Sequence, residues 1–142
     1  MITAAYAALA VPAFLDGVAE TVLVVEDEAI VCELAAEALL DEGYRVLTAA
    51  DAVEAEAILA RESVDLLFTD IDLARNTDGL ALARRARSQC PDLPVVYTSG
   101  GRGSLSQAET VAKSIFVPKP YRPSQLVELT NGLLRRSNPH HA

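Results

Sequence analysis

Polar side chains that could carry out metal or phosphate chemistry stand at the ends of short apolar runs. The clearest is Asp70, which directly follows Leu66-Leu67-Phe68-Thr69 and precedes a turn-rich stretch. A short apolar run of this kind predicts a buried strand of a parallel sheet, and ligands bind at the carboxyl ends of such strands. Further residues hold the same kind of position along the chain: Glu26, Asp27, Thr98 and Lys119. We therefore expect these five residues to form one site.

Three of these side chains are carboxylates: Glu26, Asp27 and Asp70. They can meet only if the first and third strands are neighbours, as they are in the order 2-1-3-4-5. Carboxylates within a few ångström repel one another and raise each other's pKa values. A hard divalent cation removes that conflict, and Mg²⁺ takes one or two carboxylates while keeping several waters. The sequence therefore predicts a Mg²⁺ site with room for a phosphate oxygen.

Lys119 and Thr98 would supply the other polar groups of this site. Lys119 lies between two prolines that stiffen the turn carrying it, Pro118 and Pro120. A lysine is a point charge suited to a phosphate oxygen or a carboxylate. Thr98 offers a hydroxyl, and the small Ser99-Gly100 after it would not block an incoming phosphoryl group.

Alternating strand and helix patterns carry these residues. The predicted strands are residues 22–25, 45–49, 65–69, 93–98 and 114–117. The predicted helices are residues 29–42, 52–61, 79–90, a weak helix from 104 to about 113, and 123 to about 136. This alternation predicts an α/β fold with a doubly wound, five-stranded parallel sheet, flavodoxin-like, in the strand order 2-1-3-4-5.

Several single residues support these boundaries. Gly43 is a natural stop for the first helix, Asp51 is a good N-cap for the second, and Pro123 suits the first turn of the last. The helical period of the first helix comes from apolar residues at Ile30, Leu34, Ala38 and Leu39.

Composition limits the class of protein. The chain has 142 residues, about half of them hydrophobic, which predicts one domain with a sizeable core. Its formal net charge of −8 argues against direct binding of nucleic acid, which needs clustered Lys and Arg. Cys32 and Cys90 form no disulfide framework and are expected to be small apolar filler in a reducing cytoplasm.

The two ends of the chain are expected to lie outside the domain, which we place at residues 21–136. Residues 1–20 form an N-terminal extension whose first 15 residues are apolar, without a basic region, and interrupted by Pro12. They are too short to span a membrane and are predicted to be a frayed or loosely docked helix, with a partner-binding helix left open. Residues 137–142 are predicted to be a tail in which His140 and His141 have no role.

Four motifs together resemble the receiver domain of bacterial two-component response regulators. Their order, spacing and strand-end positions agree with that family, and the resemblance covers residues 21–136. The motifs are Val24-Val25-Glu26-Asp27-Glu28, Phe68-Thr69-Asp70, Tyr97-Thr98-Ser99-Gly100 and Pro118-Lys119-Pro120-Tyr121.

The resemblance implies a phospho-acceptor and a metal site. Asp70 would be the acceptor and also a metal ligand. Asp27 would bind Mg²⁺ directly, Glu26 would bind it through water, and the backbone carbonyl of Asp72 would complete the protein ligands. The family usually carries Met-Pro after the acceptor loop, but residues 72–79 contain no proline and are one residue longer than the common spacing.

The resemblance also implies a switch. Thr98 would hydrogen-bond the phosphoryl group, Lys119 would pair with it, and Phe116 would be the aromatic residue that changes position. Phe116 cannot hydrogen-bond as a tyrosine would. The family further suggests a cis peptide bond between Lys119 and Pro120.

The function implied by the resemblance is that of a single-domain response regulator. A sensor histidine kinase or a histidine phosphotransfer protein would donate the phosphoryl group, and a downstream protein would read the result. Phosphorylation and dephosphorylation would be self-catalysed, so the protein would not be a metabolic enzyme. We expect no attached output domain, no membrane contact, and possible dimerisation through the predicted fourth helix, the fifth strand and the last helix.

Two other readings stay open at this point. A degenerate receiver would bind a partner without being phosphorylated. A phosphohydrolase would use Asp70 and Asp72 as nucleophile and acid, as haloacid-dehalogenase-like enzymes do, although that family places Asp-x-Asp after its first strand. A flavodoxin-like cofactor binder is disfavoured because Glu26 and Asp27 would repel a phosphate.

Overall fold

The computed structural model describes residues 19–134, in which strands and helices alternate except between the last two strands. The strands are β1 (Thr21–Val25), β2 (Arg45–Ala49), β3 (Leu66–Asp70), β4 (Val95–Ser99) and β5 (Ile115–Pro118). The helices are α1 (Ala29–Asp41), α2 (Ala52–Arg61), α3 (Gly79–Gln89) and α4 (Pro123–Leu134), with a short 3₁₀ turn at Ala74–Asn76. All neighbouring strands pair in parallel in the order β2-β1-β3-β4-β5, which confirms the predicted doubly wound fold.

Predictions for the two ends of the chain lie outside the described residues. They concern the helix in residues 1–15, the last two residues of the final helix, and the tail at 137–142.

Both faces of the sheet are covered, and the residues of β1 alternate between the two layers. Val22 and Val24 belong to a core cluster with residues of α1 and α4, whereas Leu23 and Val25 belong to a cluster with residues of α2 and α3. Because successive side chains of a strand point to opposite faces, a central strand between two helical layers is apolar throughout. All five residues of β1 are accordingly buried.

The boundary residues behave as predicted. Gly43, just past α1, adopts a φ of 101°, a conformation that glycine reaches without steric cost. The Asp51 side chain accepts a hydrogen bond from the Glu54 backbone N–H at 2.8 Å, so it caps α2. Pro123 is the first residue of α4.

The predicted helix at residues 104–113 is wrong. This segment forms turns between β4 and β5. The Glu109 carboxylate accepts hydrogen bonds from the Ser106 backbone N–H at 3.0 Å and from the Arg102 guanidinium at 2.6 Å, while the Tyr97 hydroxyl accepts one from the Val111 N–H at 3.1 Å. Because the Val111 N–H is bonded to the Tyr97 hydroxyl, it does not donate to the carbonyl four residues earlier, as it would in a helix.

The apolar residues that give α1 its helical period do not all lie on its packed side. Ile30 and Leu34 are 72% and 50% exposed, and the buried residues of the helix are Ala35, Ala36 and Leu39. The helix is apolar on more than one side, so its periodicity does not single out the packed side. The side of α1 that packs on the sheet therefore carries Ala35, Ala36 and Leu39 instead of Ile30 and Leu34.

A close approach of α3 to β3 requires a glycine at the start of α3. The Gly79 N–H donates to the Ile71 carbonyl at 2.9 Å. A Cβ atom at Gly79 would lie 2.0 Å from the carbonyl oxygen of Asp70 and 3.0 Å from Thr69 Oγ1. Real Cβ atoms do not approach backbone this closely, so any other residue would push α3 away from the end of β3.

We predict that Gly79→Ala lowers the free energy of unfolding by about 1–3 kcal/mol, the usual cost of overpacking. The control is Gly132→Ala in α4, where a Cβ atom would meet nothing within 4 Å. That change should stabilise the protein by about 0.5–1 kcal/mol, because alanine is the better helix former. Urea unfolding measures both variants, and equal stability of the two would contradict the close approach.

Candidate functional site

The structure brings the five predicted residues together at one edge of the sheet. Glu26 and Asp27 follow β1, Asp70 ends β3, Thr98 is the second-last residue of β4, and Lys119 follows β5. The parallel register sets Asp70 beside Thr98. Polar residues from four strands therefore meet at the carboxyl edge, as the sequence predicted.

Three carboxylates form the acidic part of this site. Glu26, Asp27 and Asp70 each place an oxygen within 4.8 Å of the others. Glu26 and Asp70 are buried, whereas Asp27 is exposed to solvent. Burial raises the pKa of Glu26, against the lowering effect of its ion pair with Lys119. Hard oxygen donors that are partly open to water fit a hydrated Mg²⁺ ion.

Lys119 balances part of this negative charge. Its Nζ atom lies 2.8 Å from Glu26 Oε1, 2.9 Å from Asp70 Oδ2 and 3.2 Å from Glu28 Oε1. Burial favours the neutral amine, but the hydrogen bonds to Asp70 and Glu26 outweigh it and raise the pKa of Lys119 above its ordinary value. The lysine is therefore charged, and one cation faces several carboxylates.

Glu28 is a site residue that the sequence analysis did not single out. Its carboxylate is exposed and pairs with Lys119 across the gap between α1 and β5. The only sequence signal was its place in the acidic run Glu26-Asp27-Glu28, where any of the three could have faced solvent.

Thr98 and Phe116, the two residues expected to form a switch, lie on the neighbouring strands β4 and β5. The Thr98 side chain is fully buried, and its hydroxyl has no hydrogen-bond partner among residues 19–134. Phe116 is half-buried, lies opposite Tyr97 in the register of β4 and β5, and packs on the cluster that contains Tyr97. The Lys119–Pro120 peptide bond is cis, as predicted.

The segment after Asp70 folds as a small hairpin despite its extra residue and missing proline. Asp72 and Asp78 form an antiparallel bridge, and the Leu73 N–H donates to the Thr77 carbonyl at 3.2 Å. The Asp72 N–H donates to Asp70 Oδ1 at 3.3 Å, so the backbone of Asp72 lies beside the Asp70 carboxylate. The Asp72 side chain itself is exposed.

Comparison with known proteins decides the family. A family model described as the response regulator receiver domain matches residues 22–131. The chain belongs to this family. It is a response regulator receiver domain.

Individual relatives agree with this membership. The receiver domain is 32% identical over 126 residues to the phosphate regulon transcriptional regulatory protein PhoB of Pseudomonas aeruginosa, covering 86% of this chain and 55% of that protein. The chain thus spans about half the length of the curated relatives it matches.

Solved structures agree as well. A response regulator receiver protein from Sinorhizobium medicae is 34% identical with a TM-score of 0.76, over 82% of this chain and 95% of that one. The receiver domain of NtrX from Brucella abortus is 36% identical with a TM-score of 0.72, over 82% of this chain and 99% of that one.

Membership places the protein in two-component signalling, where receiver domains are phosphorylated on an aspartate and interact with histidine kinases or phosphotransfer proteins. Receiver domains bind Mg²⁺ at an acidic pocket, and this one has the acidic cluster of Glu26, Asp27 and Asp70. They are in general signalling modules, not metabolic enzymes. Between residues 19 and 134, no helix has the length and apolar character needed to cross a membrane.

We predict that Thr98→Val leaves the metal-free protein as stable as the wild type or up to about 1 kcal/mol more stable. A buried hydroxyl without a partner loses its hydration and gains no bond, so a methyl group of similar shape removes that cost.

The matched control is Thr69→Val in the neighbouring strand. Thr69 is equally buried, but its hydroxyl donates to the Asp70 carbonyl at 2.8 Å, so this change should cost about 1 kcal/mol. Urea unfolding in the presence of a chelator compares the two, and equal losses would show that the Thr98 hydroxyl is bonded.

Proposed function

We propose that this receiver domain accepts a phosphoryl group on Asp70 from a phosphohistidine donor, with Mg²⁺ bound beside it. The observation that carries the proposal is the position of Lys119, whose Nζ atom lies 2.9 Å from Asp70 Oδ2, while Glu26 and Asp27 stand within 4.8 Å. A nucleophilic carboxylate, a fixed cation and a metal-ligand set are the parts that transfer of a phosphoryl group to an aspartate needs.

The proposed metal ligands differ in how they reach the ion. Asp27 is exposed and offers a direct ligand, Asp70 offers a second, and the Asp72 carbonyl offers a third. Glu26 acts through water, as the resemblance to receiver domains implies, and its Oε1 atom pairs with Lys119. When bound, Mg²⁺ neutralises charge on the oxygens of the transferring group.

The chain's own residues then perform the transfer. An Asp70 oxygen attacks phosphorus and forms an O–P bond, while the N–P bond of the donor breaks and its electron pair returns to the imidazole. The Lys119 ammonium stabilises the charge on the equatorial oxygens. The buried Thr98 hydroxyl, which has no partner among the described residues, is free to donate to a phosphoryl oxygen.

The donor must bring its histidine to the same edge of the sheet. Beside the acceptor, α1 exposes Ile30 and Leu34. Leu34 also lines a groove of about 380 Å³ together with Lys119 and Tyr121. We assign this apolar surface to the helices of a sensor histidine kinase or a histidine phosphotransfer protein, because it flanks the route to Asp70 directly.

The effect of phosphorylation would be recognised at a second surface, formed by β5, α4 and the turns of residues 100–114. A shift of a two-state population from 1:99 to 99:1 needs about 5.5 kcal/mol, whereas a hydrogen bond to a charged group contributes roughly 1.5–3 kcal/mol. Phosphorylation alone would therefore shift Thr98 and Phe116 only in part. A downstream protein, or a second copy bound through β5, α4 and the turns of residues 100–114, would complete the shift. The net charge of −8 favours protein over nucleic acid as the target.

We predict that incubation with Mg²⁺ and acetyl phosphate adds one phosphoryl group to the wild type and none to Asp70→Asn, because the amide is not a nucleophile. Intact-mass measurement detects the adduct. Asp72→Asn is the control, since it keeps the backbone carbonyl, and it should be labelled like the wild type.

Two results would contradict this acceptor assignment. Undiminished labelling of Asp70→Asn would move the acceptor elsewhere, and an unlabelled wild type would favour a module that binds without phosphorylation. Rapid release of phosphate that is lost specifically in Asp72→Asn would favour the phosphohydrolase.

We predict that Asp27→Ala abolishes Mg²⁺ binding while the fold survives, because Asp27 is exposed and packs into no core cluster. Calorimetric titration measures the affinity, which should be modest in the wild type since few protein ligands replace the water of Mg²⁺. Asp41→Ala, which removes an exposed carboxylate at the far end of α1, should leave it unchanged. Equal Mg²⁺ affinity in Asp27→Ala and the wild type would overturn the ligand assignment.

A further inference from the structure

The hairpin after the acceptor contains two residues in an unfavourable backbone conformation. Arg75 and Asn76 have φ values of 58° and 55°, and neither is a glycine. Residues other than glycine adopt positive φ at a cost and keep it only where their surroundings hold them. The tip of the hairpin therefore needs support from elsewhere in the fold.

That support comes from the N-terminus of α2. Arg75 Nε donates to Asp51 Oδ2 at 2.8 Å, and the Ala52 N–H donates to Thr77 Oγ1 at 3.0 Å. The Thr77 hydroxyl in turn donates to the Ala74 carbonyl at 2.8 Å. We call these three contacts, made by Asp51, Ala52, Ala74, Arg75 and Thr77, the α2 latch.

The α2 latch is anchored on a rigid group. Only 2% of the Asp51 side chain is exposed, whereas 74% of the Arg75 side chain is exposed. Asp51 Oδ1 accepts from the Glu54 N–H and caps α2, so its other oxygen is held in place for Arg75. The Glu54 N–H and the Arg75 guanidinium hold the pKa of Asp51 below its ordinary value, so the latch stays charged at neutral pH.

The latch lies a few residues from the proposed metal ligand. Asp72 starts the hairpin, its N–H donates to Asp70 Oδ1, and it forms an isolated antiparallel bridge with Asp78. Fixing Arg75 and Thr77 at the tip therefore also fixes the direction of the Asp72 carbonyl at the base. A metal site gains affinity when groups beyond its ligands hold those ligands in place.

We propose that Arg75 and Thr77 are positioning residues for the cation, which tie the hairpin to α2 and so hold the Asp72 carbonyl ready to bind it. The proposal rests on the Mg²⁺ site proposed above. It assigns a role to two residues that touch neither the phosphoryl group nor the metal.

The charge of Arg75 makes the proposal sharply testable. Removing a positive charge near a cation site strengthens cation binding by electrostatics alone. Loss of the latch works in the opposite direction, since a loosened hairpin must be ordered when the ion binds. Weaker binding in Arg75→Ala therefore cannot come from the charge.

The experiment measures two quantities on the full chain. Calorimetry gives the Mg²⁺ affinity of the folded protein, and amide hydrogen exchange of the metal-free protein reports the Leu73 N–H that pairs with Thr77 across the hairpin. The variants are Arg75→Ala, Thr77→Val and the conservative Thr77→Ser. The control is Arg85→Ala. It breaks a different arginine–carboxylate salt bridge, which joins Arg85 of α3 to Glu56 of α2 and does not involve the hairpin.

We expect Arg75→Ala and Thr77→Val to bind Mg²⁺ about tenfold more weakly, the lower end of what outer groups contribute to metal sites, and to exchange the Leu73 amide faster. Thr77→Ser and Arg85→Ala should match the wild type in both measurements.

Unchanged or tighter Mg²⁺ binding in Arg75→Ala would overturn the proposal, even if the free energy of unfolding falls, since the latch would then serve stability alone. The proposed metal site would still stand after that result if the wild type binds Mg²⁺ and Asp27→Ala does not. A wild type without Mg²⁺ binding would overturn the metal site and, with it, the role of the latch.

Discussion

Repulsion among carboxylates is the constraint on which the site depends. Two unit charges 4 Å apart interact by about 4 kcal/mol at the effective dielectric of a protein surface, and Glu26, Asp27 and Asp70 lie within 4.8 Å of one another. Lys119 pairs with two of them and with Glu28, yet one ammonium cannot neutralise the whole set. The remaining negative charge is what makes a divalent cation the natural complement of this edge of the sheet.

The same edge depends on close backbone packing. Gly79 lets α3 begin against the Asp70 carbonyl, and the hairpin of residues 72–78 fills the space between that contact and α2. Asp70 is thus held by its strand, by the start of the next helix and by a hairpin that is bonded to α2.

The local sequence pattern was enough to predict most of the strands and helices. Short apolar runs located the strands, and Gly43, Asp51 and Pro123 marked helix boundaries because each residue has a strong conformational preference of its own. Local pattern failed for residues 104–113, where the Glu109 carboxylate and the Tyr97 hydroxyl bind backbone N–H groups and stabilise turns. The contact of Tyr97 with the Val111 N–H forms only when β4 and the following segment are packed together, so no helical periodicity could reveal it.

The sequence by itself determined which five residues meet, because parallel strands that each end in a polar residue must present those residues at one edge. Only the tertiary structure decided which side of α1 packs on the sheet, leaving Ile30 and Leu34 exposed, and that Glu28 reaches Lys119. It also decided that Arg75 and Thr77 reach α2 more than twenty residues away in the chain. The physical reason is the distance along the chain over which each effect acts. Helical periodicity and helix capping depend on residues a few positions apart, whereas these contacts join groups that become neighbours only after the helices have packed on the sheet.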